Sequence, residues 1–240
     1  MSKKKFTIIF PTRERRFLLG NLLRSIQKNT TNPEDVEILV AYDNDDLHTR
    51  GFIFENPNIG VTWVECERSL NFSRDYYSML AKRAQGRWLV ICNDDVEFRT
   101  KGWDVLAWEA LMTTVGQGSD IWYGWVEDDL GAARCSEFND YSCFPILSKQ
   151  GVDALGYVFP DRIPMWGADI WARYLYGEIA RVVKVPVTLS HICHHNGTRE
   201  QDDINKRVAA NSGMFSMKPT PQEINTLLRF VREDRKCMRT

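Results

Sequence analysis

The 240-residue sequence lacks long hydrophobic runs. Its densest apolar segment, residues 88–92, is far shorter than the ~20 residues that a membrane-spanning helix requires. The six cysteines form no C-x-x-C pair, and the chain begins with a short basic segment that leads directly into a strand pattern. These absences exclude membrane insertion, although not contact with a membrane surface, and they predict reduced thiols and a cytoplasmic protein.

Internal repeats, low-complexity tracts and linkers between domains are also missing from the sequence. Hydrophobic residues make up 43% of the chain, which is enough for one compact domain with a sizeable core. The net charge is −1, but acidic residues dominate the middle of the chain and basic residues dominate its last quarter. An acidic centre suits a divalent cation and a basic tail suits phosphate, yet both patterns are also typical of solvated faces.

Apolar strands alternate with amphipathic helices in the first ~100 residues. Helical spacing follows the first strand at residues 18–26, and a second helix is predicted from Ser73, as its N-cap, to Gly86. The predicted strands are residues 6–10, 36–42, 61–64 and 88–92. This order predicts an α/β fold with an open, mostly parallel central sheet flanked by helices, whose ligands bind at the carboxyl ends of the strands.

The rest of the chain continues the same single domain. A helix is expected at residues 103–112, strands at 121–126 and 182–189, and a polar mobile loop at 197–219. A Thr-Pro-Gln-Glu sequence at 220–223 is then typical of a capping box that begins a C-terminal helix. We expect residues 1–100 and 101–200 to form the two halves of this domain.

Two adjacent carboxylates and an amide, Asn93, Asp94 and Asp95, come directly after the fourth predicted strand. Carboxylate oxygens suit Mg²⁺ or Mn²⁺, and such a cation can neutralise the charge on a departing diphosphate. In isolation, a tripeptide of this kind is more often a solvated turn. Other polar residues of the same sheet edge favour a binding site over a turn. Pro11, Thr12 and Arg13 follow the first strand, and Asp43 follows the second. An Asn-Phe-Ser-Arg-Asp sequence at 71–75 begins the helix that precedes the fourth strand.

This set of motifs resembles the inverting family 2 glycosyltransferases of GT-A fold. The resemblance covers residues 6–100 well and 140–200 loosely. It implies a metal-dependent enzyme that transfers a hexosyl or pentosyl group from a nucleotide-sugar, most simply a UDP-sugar, to an acceptor hydroxyl. The cofactor implied is Mn²⁺ or Mg²⁺. The resemblance also implies that residues 1–100 are the nucleotide-sugar-binding half and residues 101–200 the acceptor-binding and catalytic half.

The resemblance also implies roles for single residues on the donor side. Pro11 and Thr12, with Arg13 beside them, would border the nucleobase, and Asp43 would accept a hydrogen bond from a base N–H. Arg74 would approach the ribose or the diphosphate.

On the metal side, Asp95 matches the metal-binding aspartate of a D-x-D-type motif, and Asp94 would lie near the ribose and the metal. Asn93 departs from the aspartate that often begins this motif, which affects the expected metal affinity. His191 follows the strand at 182–189 and is expected to complete the metal shell, with His194 as the alternative. A zinc site that includes Cys193 is disfavoured, because no second cluster of ligands is present.

The acceptor side of the predicted site centres on Asp169. Inverting transfer needs a general base, and the Gly-Ala-Asp sequence at 167–169 is similar to the family's acceptor-side motif. The alternative is an aspartate that only complements the dipole of the helix that it begins. Trp166 and Gly167 would offer a flat surface and a close backbone to a sugar, and Arg199, in the polar loop at 197–207, would reach the diphosphate.

Two other functions remain to be distinguished. A nucleotidyltransferase has a similar start, but it usually has a glycine-rich loop after the first strand, and residues 11–16 contain no glycine. A noncatalytic module that binds a nucleotide-sugar or DNA would keep the fold without the activity. The acceptor itself is open: a glycan, a lipid, a protein or a hydroxymethylated nucleic-acid base would each supply a hydroxyl.

Overall fold

The computed structural model describes residues 4–57, 60–115, 119–128, 138–192 and 216–237. The strands are β1 (Phe6–Thr12), β2 (Val36–Asp43), β3 (Thr62–Cys66), β4 (Trp88–Ile91), β5 (Val96–Phe98), β6 (Tyr123–Asp128), β7 (Ile146–Ser148) and β8 (Val182–His191). The helices are α1 (Arg16–Asn29), α2 (Leu47–Glu55), α3 (Met79–Arg83), α4 (Trp103–Val115), α5 (Lys149–Leu155), α6 (Ala168–Glu178) and α7 (Pro221–Cys237). A 3-10 turn (Pro33–Asp35) precedes β2, and a π-helical turn (Ser73–Ser78) runs into α3.

The eight strands form one mixed sheet in the order β3-β2-β1-β4-β7-β6-β8-β5. β1 pairs in parallel with β2 and β4, and β2 pairs in parallel with β3, as predicted for the first half of the chain. In the second half, β7 is antiparallel to β4 and β6, and β8 is parallel to β6 but antiparallel to β5. Because the first four strands are parallel, their carboxyl ends lie at one edge of the sheet.

Two hydrophobic clusters cover the two faces of the sheet. Side chains of β1 alternate between them: Ile8 packs with the cluster that includes α1 and α4, and Ile9 packs with the cluster that includes α5, α6 and α7. Both side chains are fully buried. The near-continuous apolar runs in the sequence therefore reflect strands that are covered by helices on both sides.

Four elements differ from expectation. β5 and β7 have three residues each, which is too short for a periodic pattern, and α5 follows β7 directly. α2 was also not predicted; its N-cap Asp46 accepts a hydrogen bond from the Thr49 N–H at 3.0 Å. Ser73 is the first residue of the π-helical turn rather than its cap, since Asn71 Oδ1 accepts from the Arg74 N–H at 3.0 Å.

The predicted capping box at the start of α7 is confirmed. The Thr220 N–H donates to Glu223 Oε2 at 2.6 Å, and the Glu223 N–H donates to Thr220 Oγ1 at 3.3 Å. Leu227 and Val231 are buried against the core, as their helical spacing predicts. Within the described ranges, no helix is long and apolar enough to span a bilayer.

Candidate active site

A cavity of about 410 Å³ opens at the carboxyl ends of β1, β2 and β4. Its lining comes from both halves of the chain, because it includes the β1–α1 turn and the end of β4 as well as the start of α6 and the end of β8. The cavity brings together most of the residues predicted from sequence: Pro11, Thr12, Arg13, Asp43, Asn93, Asp94, Asp95, Trp166, Gly167, Asp169 and His191.

The turn between β1 and α1 has an unusual backbone. Glu14 has φ of 56°, a left-handed conformation that non-glycine residues seldom adopt. Its N–H donates to Asp46 Oδ2 at 2.8 Å, and Asp46 is fully buried, so this contact holds the turn. The conformation directs both flanking arginines, Arg13 and Arg15, into the cavity lining.

Arg13 lies on the carboxylate at the end of β2. Its guanidinium donates to Asp43 Oδ2 at 2.9 Å and also to Asp45, while the Tyr76 hydroxyl donates to the other oxygen of Asp43. Burial raises the pKa of Tyr76, and the hydrogen bond to Asp43 raises it further. Asp43 is only 4% exposed. A ligand at this end of the cavity therefore meets Arg13 together with Asp43.

Asp94 is buried and held by two donors. Thr12 Oγ1 donates to one carboxylate oxygen at 2.8 Å, and the Arg15 guanidinium donates to the other at 2.7 Å. Burial raises the pKa of Asp94; Arg15 opposes this effect and the adjacent Asp95 adds to it. The contacts orient Asp94 within the cavity wall.

Asp95, which directly precedes β5, lies next to His191, the last residue of β8. His191 Nε2 lies 3.4 Å from Asp95 Oδ1, and each residue is 5% exposed. The pairing of β5 with β8 sets this position, because His191 is in register with Val96 and the Ile192 N–H donates to the Asp95 carbonyl at 2.8 Å.

The donor set at this point fits a divalent cation. A carboxylate oxygen and an imidazole nitrogen of Asp95 and His191 converge on one side of the cavity, and both types of atom are common metal ligands. Among the described residues, no group of three or more His, Cys, Asp or Glu side chains is arranged as a metal site. Two protein ligands leave several positions for phosphate oxygens and water, as is usual for cations that bind together with nucleotides.

Asn93 occupies the first position of the D-x-D-type motif, where an aspartate is usual. The buried Tyr77 hydroxyl donates to Asn93 Oδ1 at 2.6 Å. An aspartate there would add a third carboxylate next to Asp94 and Asp95, and like charges that close repel one another in a buried site. The amide therefore accepts the tyrosine hydrogen bond without that repulsion.

Asp169 lies in the first turn of α6 and belongs to the cavity lining. The Tyr141 hydroxyl donates to Asp169 Oδ2, and the Ile170 N–H donates to Oδ1 at 2.9 Å. Burial raises the pKa of Tyr141, as does the nearby Asp169, so the phenol remains a donor. Gly167 begins the helix with φ of 83°, and a Cβ there would lie 2.6 Å from Met217 Cε.

Arg74 is the predicted residue that the structure does not bring into the cavity. Its side chain is 58% exposed and pairs with Asp75 at 2.7 Å. His194 and Arg199 lie outside the described residues. Sequence analysis did not identify Arg15, Tyr77 and Tyr141, whose side chains each donate a hydrogen bond to a predicted site residue. The cluster of arginines after β1 was a visible signal, but which of them enters the cavity depends on the backbone at Glu14.

Comparison with solved structures finds GT-A glycosyltransferases with the same fold, which confirms the predicted fold class. S. aureus TarS 1–349 in complex with UDP superposes with a TM-score of 0.61 at 14% identity, covering 78% of this chain and 60% of that one. TarS 1–349 in complex with UDP-GlcNAc gives 0.60 at 14% identity over 96% of this chain and 66% of that one. The mannosyltransferase PcManGT from Pyrobaculum calidifontis, in complex with GDP-Man and Mn²⁺, gives 0.58 at 14% identity over 97% and 75%.

The chain thus spans less than two thirds of the length of the first of these structures. No family model matches the sequence, and no curated protein matches it. At 14% identity, the structural similarity establishes the fold.

Proposed function

We propose that this protein is a metal-dependent inverting glycosyltransferase that moves a sugar from a nucleotide-sugar to an acceptor hydroxyl. The main observation in support is that one cavity is lined both by the buried carboxylates at the end of β4 and by a separate carboxylate, Asp169, in the first turn of α6. Inverting transfer uses two such acidic groups, because the leaving diphosphate and the general base act on opposite faces of the sugar. Neighbouring structures of the same fold were obtained with UDP, UDP-GlcNAc and GDP-Man.

The nucleotide would bind between the ends of β1 and β2. Pro11 and Thr12 would border the base there, and Arg13 and Asp43 would contact its polar edge. The cavity volume of about 410 Å³ is within the range of small-molecule sites. Because Asp43 already accepts from Arg13 and Tyr76, we expect the base to be selected by the pair of Arg13 and Asp43 rather than by the aspartate alone.

Asp95 and His191 would hold the divalent cation, with Asp94 beside them. When bound, the cation neutralises negative charge on the diphosphate of the donor. Because Mg²⁺ prefers oxygen ligands, an imidazole nitrogen in the shell favours Mn²⁺. PcManGT was crystallised with Mn²⁺.

Asp169 would act as the general base. The Tyr141 hydrogen bond to Oδ2 and the Ile170 hydrogen bond to Oδ1 restrict rotation of the carboxylate, which suits a group that must accept a proton from an acceptor hydroxyl held at one position. The acceptor oxygen would then attack the anomeric carbon, and the bond from that carbon to the diphosphate oxygen would break. The carbon is inverted because attack and departure are on opposite faces.

Exposed apolar side chains surround the mouth of the cavity. Leu70, Trp166 and Met217 are 49%, 37% and 36% exposed and belong to its lining. Flat apolar surface next to Gly167 suits the face of a sugar ring or a base. The acceptor is therefore proposed to be a glycan, a lipid with a sugar headgroup, or a hydroxymethylated nucleic-acid base.

The decisive experiment is a measurement of nucleotide release from UDP-sugars and GDP-sugars in the presence of Mn²⁺. We expect Asp95→Asn to abolish release together with metal binding, and Asp169→Asn to abolish sugar transfer while nucleotide and Mn²⁺ still bind. Asp153→Asn, which changes an exposed aspartate of α5, is the matched control and keeps full activity. Full activity in the Asp95 or Asp169 variant rejects the role given to that residue.

The same experiment separates the alternatives. A nucleotidyltransferase would release pyrophosphate from a nucleoside triphosphate, and a noncatalytic module would bind a nucleotide-sugar without releasing nucleotide. Mass spectrometry of glycans, lipids and DNA from the native host then identifies the acceptor.

A further inference from the structure

We propose that Arg15 is a built-in counter-cation of the acidic strand end, which opposes metal binding in the absence of donor and binds the donor's diphosphate once the metal is present. The inference rests on the proposed function. Arg15 would then couple the binding of the metal to the binding of the donor.

Burial of the acidic pair is the first observation. Asp94 and Asp95 are 2% and 5% exposed, so their charges are poorly solvated and an adjacent positive charge is strongly favoured. Arg15 supplies it: one guanidinium nitrogen lies 2.7 Å from Asp94 Oδ1 and 3.7 Å from Asp95 Oδ2. The guanidinium therefore occupies the region of positive charge that a divalent cation would also occupy.

The backbone supports this position at a conformational cost. Glu14 has φ of 56°, in the left-handed region that is unfavourable for a residue with a Cβ. The buried Asp46 holds it there through the Glu14 N–H. Strained backbone of this kind is typical of functional sites, and its consequence here is that Arg15 faces Asp94 instead of solvent.

Arg15 lies closer to Asp94 than to Asp95. Asp94 accepts from Arg15 and Thr12 at 2.7 and 2.8 Å, whereas the contacts from Arg15 and His191 to Asp95 are 3.7 and 3.4 Å. Arg15 is thus anchored on Asp94 and is only a distant neighbour of Asp95. A cation at Asp95 would repel the guanidinium, and a diphosphate bound to that cation would attract it. By linkage, Arg15 should weaken the binding of metal alone and strengthen the binding of metal with diphosphate.

The test uses the full chain with Mn²⁺ and UDP or GDP as probes, and calorimetric titration as the readout. In Arg15→Gln we expect Mn²⁺ alone to bind about tenfold more tightly than in the wild type, since a charge close to Asp95 is removed. UDP or GDP in saturating Mn²⁺ should bind about tenfold more weakly. Arg15→Lys keeps the positive charge and should bind Mn²⁺ alone as weakly as the wild type does.

Arg16→Gln is the matched control, since Arg16 is 51% exposed and pairs with Glu55 away from the cavity. It should leave both affinities unchanged. If Arg15→Gln weakens or leaves unchanged the binding of Mn²⁺ alone, or if Arg15→Lys behaves like Arg15→Gln, the role of Arg15 is refuted. If the wild type still binds Mn²⁺ and nucleotide in that case, the proposed function stands and only the role of Arg15 is refuted. If the wild type binds neither, the proposed function itself is refuted. Thermal melting of each variant identifies any loss of folding.

Discussion

Glu223 joins the C-terminal helix to the segment between α5 and α6, and its replacement by glutamine should destabilise the protein in a pH-dependent way. The buried carboxylate accepts from Arg162 at 2.7 and 2.9 Å, from the Tyr157 hydroxyl at 2.7 Å and from the Thr220 N–H at 2.6 Å. Burial alone would raise the pKa of Glu223. The donors on Arg162, Thr220 and Tyr157 outweigh it and hold the pKa at about 2, against an ordinary value of 4.5.

The direction of this shift determines the pH range of the effect. Because the folded-state pKa lies below the unfolded-state value, the stabilisation is complete above about pH 4.5 and is lost as the pH falls toward 2. A difference of about 2.5 pKa units corresponds to roughly 3 kcal/mol. We expect Glu223→Gln to lower the free energy of unfolding by about 2–3 kcal/mol at neutral pH, and by much less below about pH 3.

Urea denaturation at a series of pH values measures this difference. Glu109→Gln, which changes an exposed glutamate on α4, is the control and should alter stability by less than about 0.5 kcal/mol. An equal loss for Glu223→Gln at neutral and acidic pH, or no loss at either, would contradict the argument that the charged network stabilises the fold.

Two further predictions concern the proposed general base, Asp169, and the packing of the sheet. Tyr141→Phe removes the hydroxyl that donates to Asp169 and should lower kcat about tenfold while the KM for the donor stays constant in steady-state assays; an unchanged kcat would show that the hydrogen bond is dispensable. Gly86→Ala places a Cβ 2.4 Å from the Thr7 backbone nitrogen. We expect it to lower the free energy of unfolding, measured by urea denaturation, by about 2–3 kcal/mol. Gly51→Ala, in α2 with nothing within 4 Å, is its control and should stabilise by about 0.5–1 kcal/mol.

Much of the fold and part of the site could be predicted from local pattern. Apolar runs with helical segments between them identified β1 to β4, and polar residues at the ends of parallel strands identified the cavity edge that contains Asp43 and Asp95. The three-residue strands β5 and β7 could not be found in this way, because pairing with distant strands forms them rather than their own periodicity. Arg15 shows the same limit for the site, since the sequence singled out Arg74, whereas Arg15 is the arginine that contacts Asp94.

The sequence by itself determined the α/β class, the capping box at Thr220 and the acidic side chains that follow β4, because these depend on residue type and spacing along one segment. Only the tertiary structure decided that His191 meets Asp95 and that Arg15 faces Asp94. The first of these contacts depends on the register of β8 against β5, and the second on one left-handed residue held by a buried aspartate. Such contacts join residues about eighty to a hundred positions apart, and no local pattern encodes the geometry that brings them together.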